Sequence, residues 1–225
     1  MSLAGPPSSG AADRAYAAAA VGANLVPIVG GAAVELVNSV FGPPLERRRQ
    51  VWFEELADAI QTLQAHDVPV DSDEFISAVA TASRIALGTH LEEKLQMLKA
   101  AVTHAALPDR PADLLTTRFL RFVEELDPEH FVMLAYLRDP AGHFERHDIP
   151  KPNITMGGPS AIFAEARLDV PHVDIVLGDL GARGLADTGS WNTLMTANGA
   201  WAARTTQLGT ELIDFVTIVD FGDPA

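Results

Sequence analysis

The stretch SAIFAEARLDVPHVDIVLGDLGARGL, residues 160–185, breaks at the three residues Asp169, Val170 and Pro171. Residues 160–168 ahead of the break read as one helix. Behind it, over 171–184, Val173, Val176, Leu177 and Leu180 recur at helical spacing and face one way. Gly184 sits where a left-handed cap closes such a helix, with Leu185 placed to fold back onto it. Two helices joined by so short a turn have helix-turn-helix spacing.

Downstream, 191–196 and 200–205 read as short strands flanking Ala197, Asn198 and Gly199. Asn-Gly between two such runs is a strong local signal for a β-hairpin. Leu208, Leu212, Ile213 and Phe215 then restore helical spacing. Upstream, Phe131, Leu134 and Leu137 mark a short helix, followed by a polar stretch over 138–158 that reads as a loop. Helix, helix, helix, hairpin, helix is the order of a winged helix.

The front half is all helical stripes. After Pro43 and Pro44, which suit a first turn because proline lacks an amide proton that would stay unpaired there, come Leu45, Trp52, Leu56, Ile60 and Leu63 on one face. Asp71 with Glu74 three residues on resembles a capping box. A stripe then runs through Leu87, Leu91, Leu95, Leu98 and Val102, with a kink or restart at Gly88 and Thr89. Leu115, Phe119, Phe122 and Leu126 make the last one. The expected fold is mainly α: a tail at 1–14, a helical domain of about four helices at 15–126, a winged-helix-like domain with a short β-hairpin at 127–219, and an acidic tail at 220–225.

DLGARGLAD (179–187), then a hairpin, then TTQLGTELIDFV (205–216) resembles the winged-helix pattern. There a third helix ends in an Arg-Gly-Leu turn, a wing follows, and Thr-x-x-Gly opens the last helix. VPIVGG (26–31), PPLERRRQVW (43–52) and THLEEKLQMLKAAV (89–102) are similar to a loose set of uncharacterised prokaryotic proteins, some of which look like phage-defence or abortive-infection components. These resemblances imply a fold and a setting, and transfer no site residue.

The 225 residues hold 16 Lys and Arg against 30 Asp and Glu, a formal charge of −14. A chain of that sign repels phosphate backbones unless its cations gather into a patch. Residues 109–225 hold 9 basic and 18 acidic residues, a net of −9. Helix 172–183 sets Asp174 and Asp179 against Arg183 alone, and the hairpin adds only Arg204, so nucleic acid is disfavoured as a partner. The absence of Cys excludes disulfides and cysteine nucleophiles.

No Gly-x-Ser-x-Gly elbow, phosphate loop or His-Glu-x-x-His motif occurs, so no catalytic residue and no cofactor are assigned. His143, Glu145, His147 and Asp148 are the only dense group of metal-ligand types. In a loop nothing fixes their geometry, and no metal is assigned. Arg47, Arg48 and Arg49 are the densest positive cluster, and none has an acidic residue four positions ahead. They read as a solvated face, an acidic-partner site, or a basic flank for the apolar segment before them.

That segment, 15–45, carries Glu35 as its only charge and includes Val34 and Val37, but Gly, Asn and Pro interrupt it. The first fifteen residues lack the basic region of a secretory signal, so a cytoplasmic location is expected. The reading is a non-enzymatic interaction or regulatory protein that contacts protein partners and itself, in a bacterial defence setting. Two alternatives stay open: a membrane-active effector that releases 15–45 on a signal, and a winged-helix DNA-binding regulator.

Overall fold

The computed structural model describes residues 43–219. Among them, ten helices and one two-stranded antiparallel sheet make the regular structure, so the fold is mainly α with a short β pair. The tail at 1–14, the apolar residues through 42 with Val34, Glu35 and Val37, and the acidic tail at 220–225 lie outside the described residues. The chain divides into two compact units, residues 1–53 and 54–225.

Helix α1, Pro43–Ala65, begins in the first unit and ends in the second. In the second unit, α2 (Asp73–Gly88) starts at Ser72, whose hydroxyl accepts the Phe75 N–H at 3.1 Å. This differs from the capping box expected at Asp71. With Ser72 at the cap, the third helical position falls on Phe75 instead of Glu74. At Gly88 the chain restarts as α3, Glu92–Ala106, so the long stripe is divided between two helices. α2 buries Phe75, Ala78, Ala82 and Ile85, and α3 buries Leu98, Ala101, Val102 and Ala105. Four of these eight are alanines, which let the two helices approach closely.

Helix α4 (Asp113–Glu125) buries Phe119, Leu120, Phe122 and Val123 against α2 and α3. Helix α5, Pro128–Arg138, buries Phe131, Leu134 and Leu137, the stripe predicted for it. The last helix, α10 (Gln207–Val216), packs on both α3 and α5, and its Phe215 ring lies 5.4 Å from that of Phe119. The boundary expected at 126/127 runs through this packing.

Two local expectations are corrected. The polar stretch 138–158 holds a helix, α6, Pro140–Arg146. Asp139 caps it by accepting the Gly142 N–H at 2.8 Å, and Pro140 fills the first position, where no amide proton is needed. The hairpin about Asn198 and Gly199 does not form. Those two residues lie in a single helical turn, α9 (Ala197–Ala200), and strand β2 (Met195–Thr196) pairs instead with β1 (Met156–Gly157). A two-residue hairpin turn of the favoured type needs positive φ at its centre, and Gly184 is the one glycine with positive φ among the described residues. Helices α7 (Pro159–Phe163) and α8 (Val173–Ala182) complete the set, shorter than the sequence predicts because Arg167 and His172 take left-handed φ of 54° and 52°.

Candidate interaction surface around helix α8 and its loop

The end of α8 is built as its sequence implies. Gly184 has φ of 69°, the Leu185 N–H donates to the Leu180 carbonyl at 2.9 Å, and Leu185 is fully buried. Thr206 locks onto this turn: its N–H donates to the Leu185 carbonyl at 3.0 Å and its hydroxyl to the Gly184 carbonyl at 2.7 Å. The same hydroxyl accepts the Gly209 N–H at 3.1 Å, capping α10. A Cβ on Gly209 would stand 2.0 Å from the Leu185 carbonyl oxygen, so only glycine admits this approach. Arg-Gly-Leu and Thr-x-x-Gly, separated by twenty residues of sequence, are therefore one interlocked joint.

A single bridge between Ala186 and Thr205 and the bond from the Asp187 N–H to the Arg204 carbonyl, 2.7 Å, close the stem of a loop over 188–203. Arg204 holds that loop from inside. The residue is 8% exposed, so it offers no cation to a ligand on the surface. Its Nη1 donates to Ser190 Oγ at 2.6 Å and its Nη2 to the Gly199 carbonyl at 2.9 Å and Met195 Sδ at 3.3 Å. Burial raises the Tyr136 hydroxyl well above its ordinary pKa, although the Arg204 charge works against that rise.

Arg183 is likewise committed. Its Nη1 donates to Asp179 Oδ1 at 3.0 Å, one turn back, and its Nη2 stands 3.8 Å from Glu125. Asp179 also faces buried His130, whose Nε2 is 3.3 Å from Oδ2. His130 Nδ1 lies 3.2 Å from the Asp127 amide nitrogen and 3.3 Å from the Asp127 carbonyl oxygen, so the ring bridges the start of α5 and the Asp179 carboxylate. Both ring nitrogens thus have partners within the fold. The Arg183 and His130 bonds hold the Asp179 carboxyl below its usual pKa against the opposing effect of burial.

The exposed side of α8 carries Asp174, Ile175, Gly178 and Ala182, with Ile175 62% exposed. Bases and phosphates are read by Arg, Lys, Asn and Gln, and this side offers none.

The remaining sequence candidates fall elsewhere. His143 and His147 come together on α6 and its cap, with rings 4.3 Å apart. His143 Nε2 bonds the Ala166 carbonyl and His147 Nδ1 the His143 carbonyl, while Glu145 pairs with Lys151. Among the described residues no group of three or more His, Cys, Asp or Glu converges as a metal site. Arg47, Arg48 and Arg49 are exposed in the first unit. Arg49 lies 3.9 Å from Glu46 and 5.8 Å above the Phe53 ring, weak contacts at such exposure. A cleft of about 320 Å³ in the second unit is lined by Asp73, Glu74, Ser77, Thr81, Arg110 and Asp113, among others. Its arginine is engaged with Asp113 at 2.8 Å and Glu74 at 3.7 Å. Among the described residues, no helix is long and apolar enough to cross a membrane.

Sequence reasoning missed His130 and the apolar exposure at Met156 and Leu194. Asp127-Pro128-x-His130 carries the cap, first-turn proline and third-position partner of a capping box, so His130 was within reach. No family model matches the chain, and no curated protein or solved structure matches it.

Proposed function

We propose that the chain is a non-enzymatic interaction protein that works through contacts with protein partners and with itself. The observation that carries this reading is the outward side of α8, where Ile175 stands 62% exposed beside Asp174 and Gly178. An exposed isoleucine beside a carboxylate, on a helix side without cations, suits a protein partner, while the carboxylate repels a polyanion. Engagement of Arg183 with Asp179 and Glu125, and burial of Arg204, support the same reading. A cytoplasmic location and a role in bacterial defence belong to this proposal, the second resting on the resemblance of the front half.

The membrane-active alternative rests on the apolar residues 15–45 and the Arg47–Arg49 flank. One experiment separates the two readings: the mass of the protein in solution, measured with and without anionic liposomes. Self-association without lipid, and no transfer to vesicles, is the expected result. Quantitative co-sedimentation with vesicles would favour the effector.

A further inference from the structure

We infer that the face of the small sheet bearing Met156 and Leu194 is where two copies of this chain meet, an inference that rests on the self-association proposed above. Met156 stands opposite Thr196 in the sheet. With a period of two, Leu194 lies on the same side as Thr196. The side chains agree: Met156 is 61% and Leu194 67% exposed and Thr196 is exposed, whereas Gly157 on the opposite side is buried.

Charge identifies the partner. Segments 150–158 and 188–203, which carry both strands, contain Lys151 as their only charged side chain, and that lysine is paired with Glu145. The acidic excess behind the net −14 therefore lies entirely outside these two segments. A heterologous partner of so acidic a protein would ordinarily be steered by basic groups onto carboxylates, and these two segments have none to offer. A second copy is different. Two bodies of the same sign approach most readily where neither presents charge, and a two-fold arrangement sets Met156 of one against Leu194 of the other. Arg204 favours the contact by holding Ser190 and Gly199, so the loop is ordered before association. Two apolar side chains give far less than the roughly 800 Å² per partner of a stable complex, so the association is weak and concentration-dependent.

Sedimentation equilibrium of the full chain over a concentration series, at low and at high NaCl, tests this. Dimer formation is expected to strengthen with salt, because the Debye length falls from about 10 Å at 0.1 M to about 3 Å at 1 M while no interfacial ion pair is lost. Met156→Asp and, independently, Leu194→Asp are expected to weaken dimerisation at least tenfold, with far-UV circular dichroism and melting midpoint unchanged. Leu114→Asp, at the exposed start of α4, should leave it intact. Dimers that survive both sheet variants but are lost in Val37→Asp would overturn this inference and keep self-association, relocated to the apolar segment. A monomer at every concentration and salt would overturn both.

Discussion

Gly209 shows how one missing carbon can decide a joint. The Leu185 carbonyl oxygen occupies the space of its Cβ, and that oxygen already accepts the Thr206 N–H. Gly209→Ala must therefore push α10 away from the turn after α8, at a cost of about 2–4 kcal/mol, in the range of severe overpacking. Chemical denaturation would measure it, and a loss within 0.5 kcal/mol would contradict the geometry. Thr206→Ala removes a helix cap and the hydroxyl bond to the Gly184 carbonyl while keeping the backbone bond to Leu185, and is expected to cost about 1–2 kcal/mol. Arg204 makes the complementary case. Arg204→Met leaves Ser190 and the Gly199 carbonyl without their donor, with an expected loss of about 1–3 kcal/mol. Because Trp191 and Trp201 lie in the same loop, tryptophan emission should shift and protease cleavage should appear between 188 and 203. Lys at the same position cannot reproduce the planar fork and should rescue only part of the loss.

At the scale of elements, α8 is held to α5 and to the end of α4 through Asp179, with His130 on one side and Arg183 reaching Glu125 on the other. The folded Asp179 carboxyl titrates below its ordinary value. Its contribution is thus complete above the unfolded carboxylate value, about pH 4, and is lost as the pH falls through the folded one. Asp179→Asn should flatten the decline of the melting midpoint below about pH 4 while lowering the midpoint at pH 7. An acid limb identical to that of the parent protein would exclude the linkage.

The legibility of these elements follows the range of the forces that set them. Gly184 and Leu185 and the stripes of α4 and α5 are readable because capping and periodicity act within four or five residues, whereas Thr206 and Gly209 stand out only through the resemblance. The hairpin was misread because the Asn198-Gly199 signal is local, and Met195 is claimed from a distance. It pairs with Gly157, its side chain packs against Gly199, and Arg204 takes the Gly199 carbonyl. Lys94 was hidden for the same reason: its charge suggests a surface position, yet its Nζ crosses to the Glu124 carbonyl and the residue is 7% exposed. At the candidate surface, Arg183 and Arg204 were visible by type, but neither their engagement nor the exposure of Met156, Leu194 and Ile175 could be read from spacing.

Across the whole molecule, the acidic balance and the placement of cations lead to one outcome with nucleic acid. Counterion release drives binding in proportion to the phosphates neutralised, so affinity requires several arginines or lysines free to reach a backbone together. Around α8 and its loop, Arg183 is tied to Asp179 and Glu125, Arg204 is buried, and Lys151 is paired with Glu145, which leaves Arg167, ahead of α8, as an exposed cation too isolated to track a phosphate backbone. Bringing duplex DNA to this face would add repulsion from Asp174 and Asp179 to that of a molecule at −14. Random duplex should therefore show no binding by fluorescence anisotropy at physiological salt, and only weak binding at low salt. The charge-reversed variant Asp174→Lys should raise the low-salt affinity modestly by supplying one reachable cation. Salt-dependent micromolar binding by the parent protein, lost on changing Arg183, would instead mean that the Arg183 pair opens on contact with DNA, and residues 127–219 would then have to be read as a DNA-binding regulator.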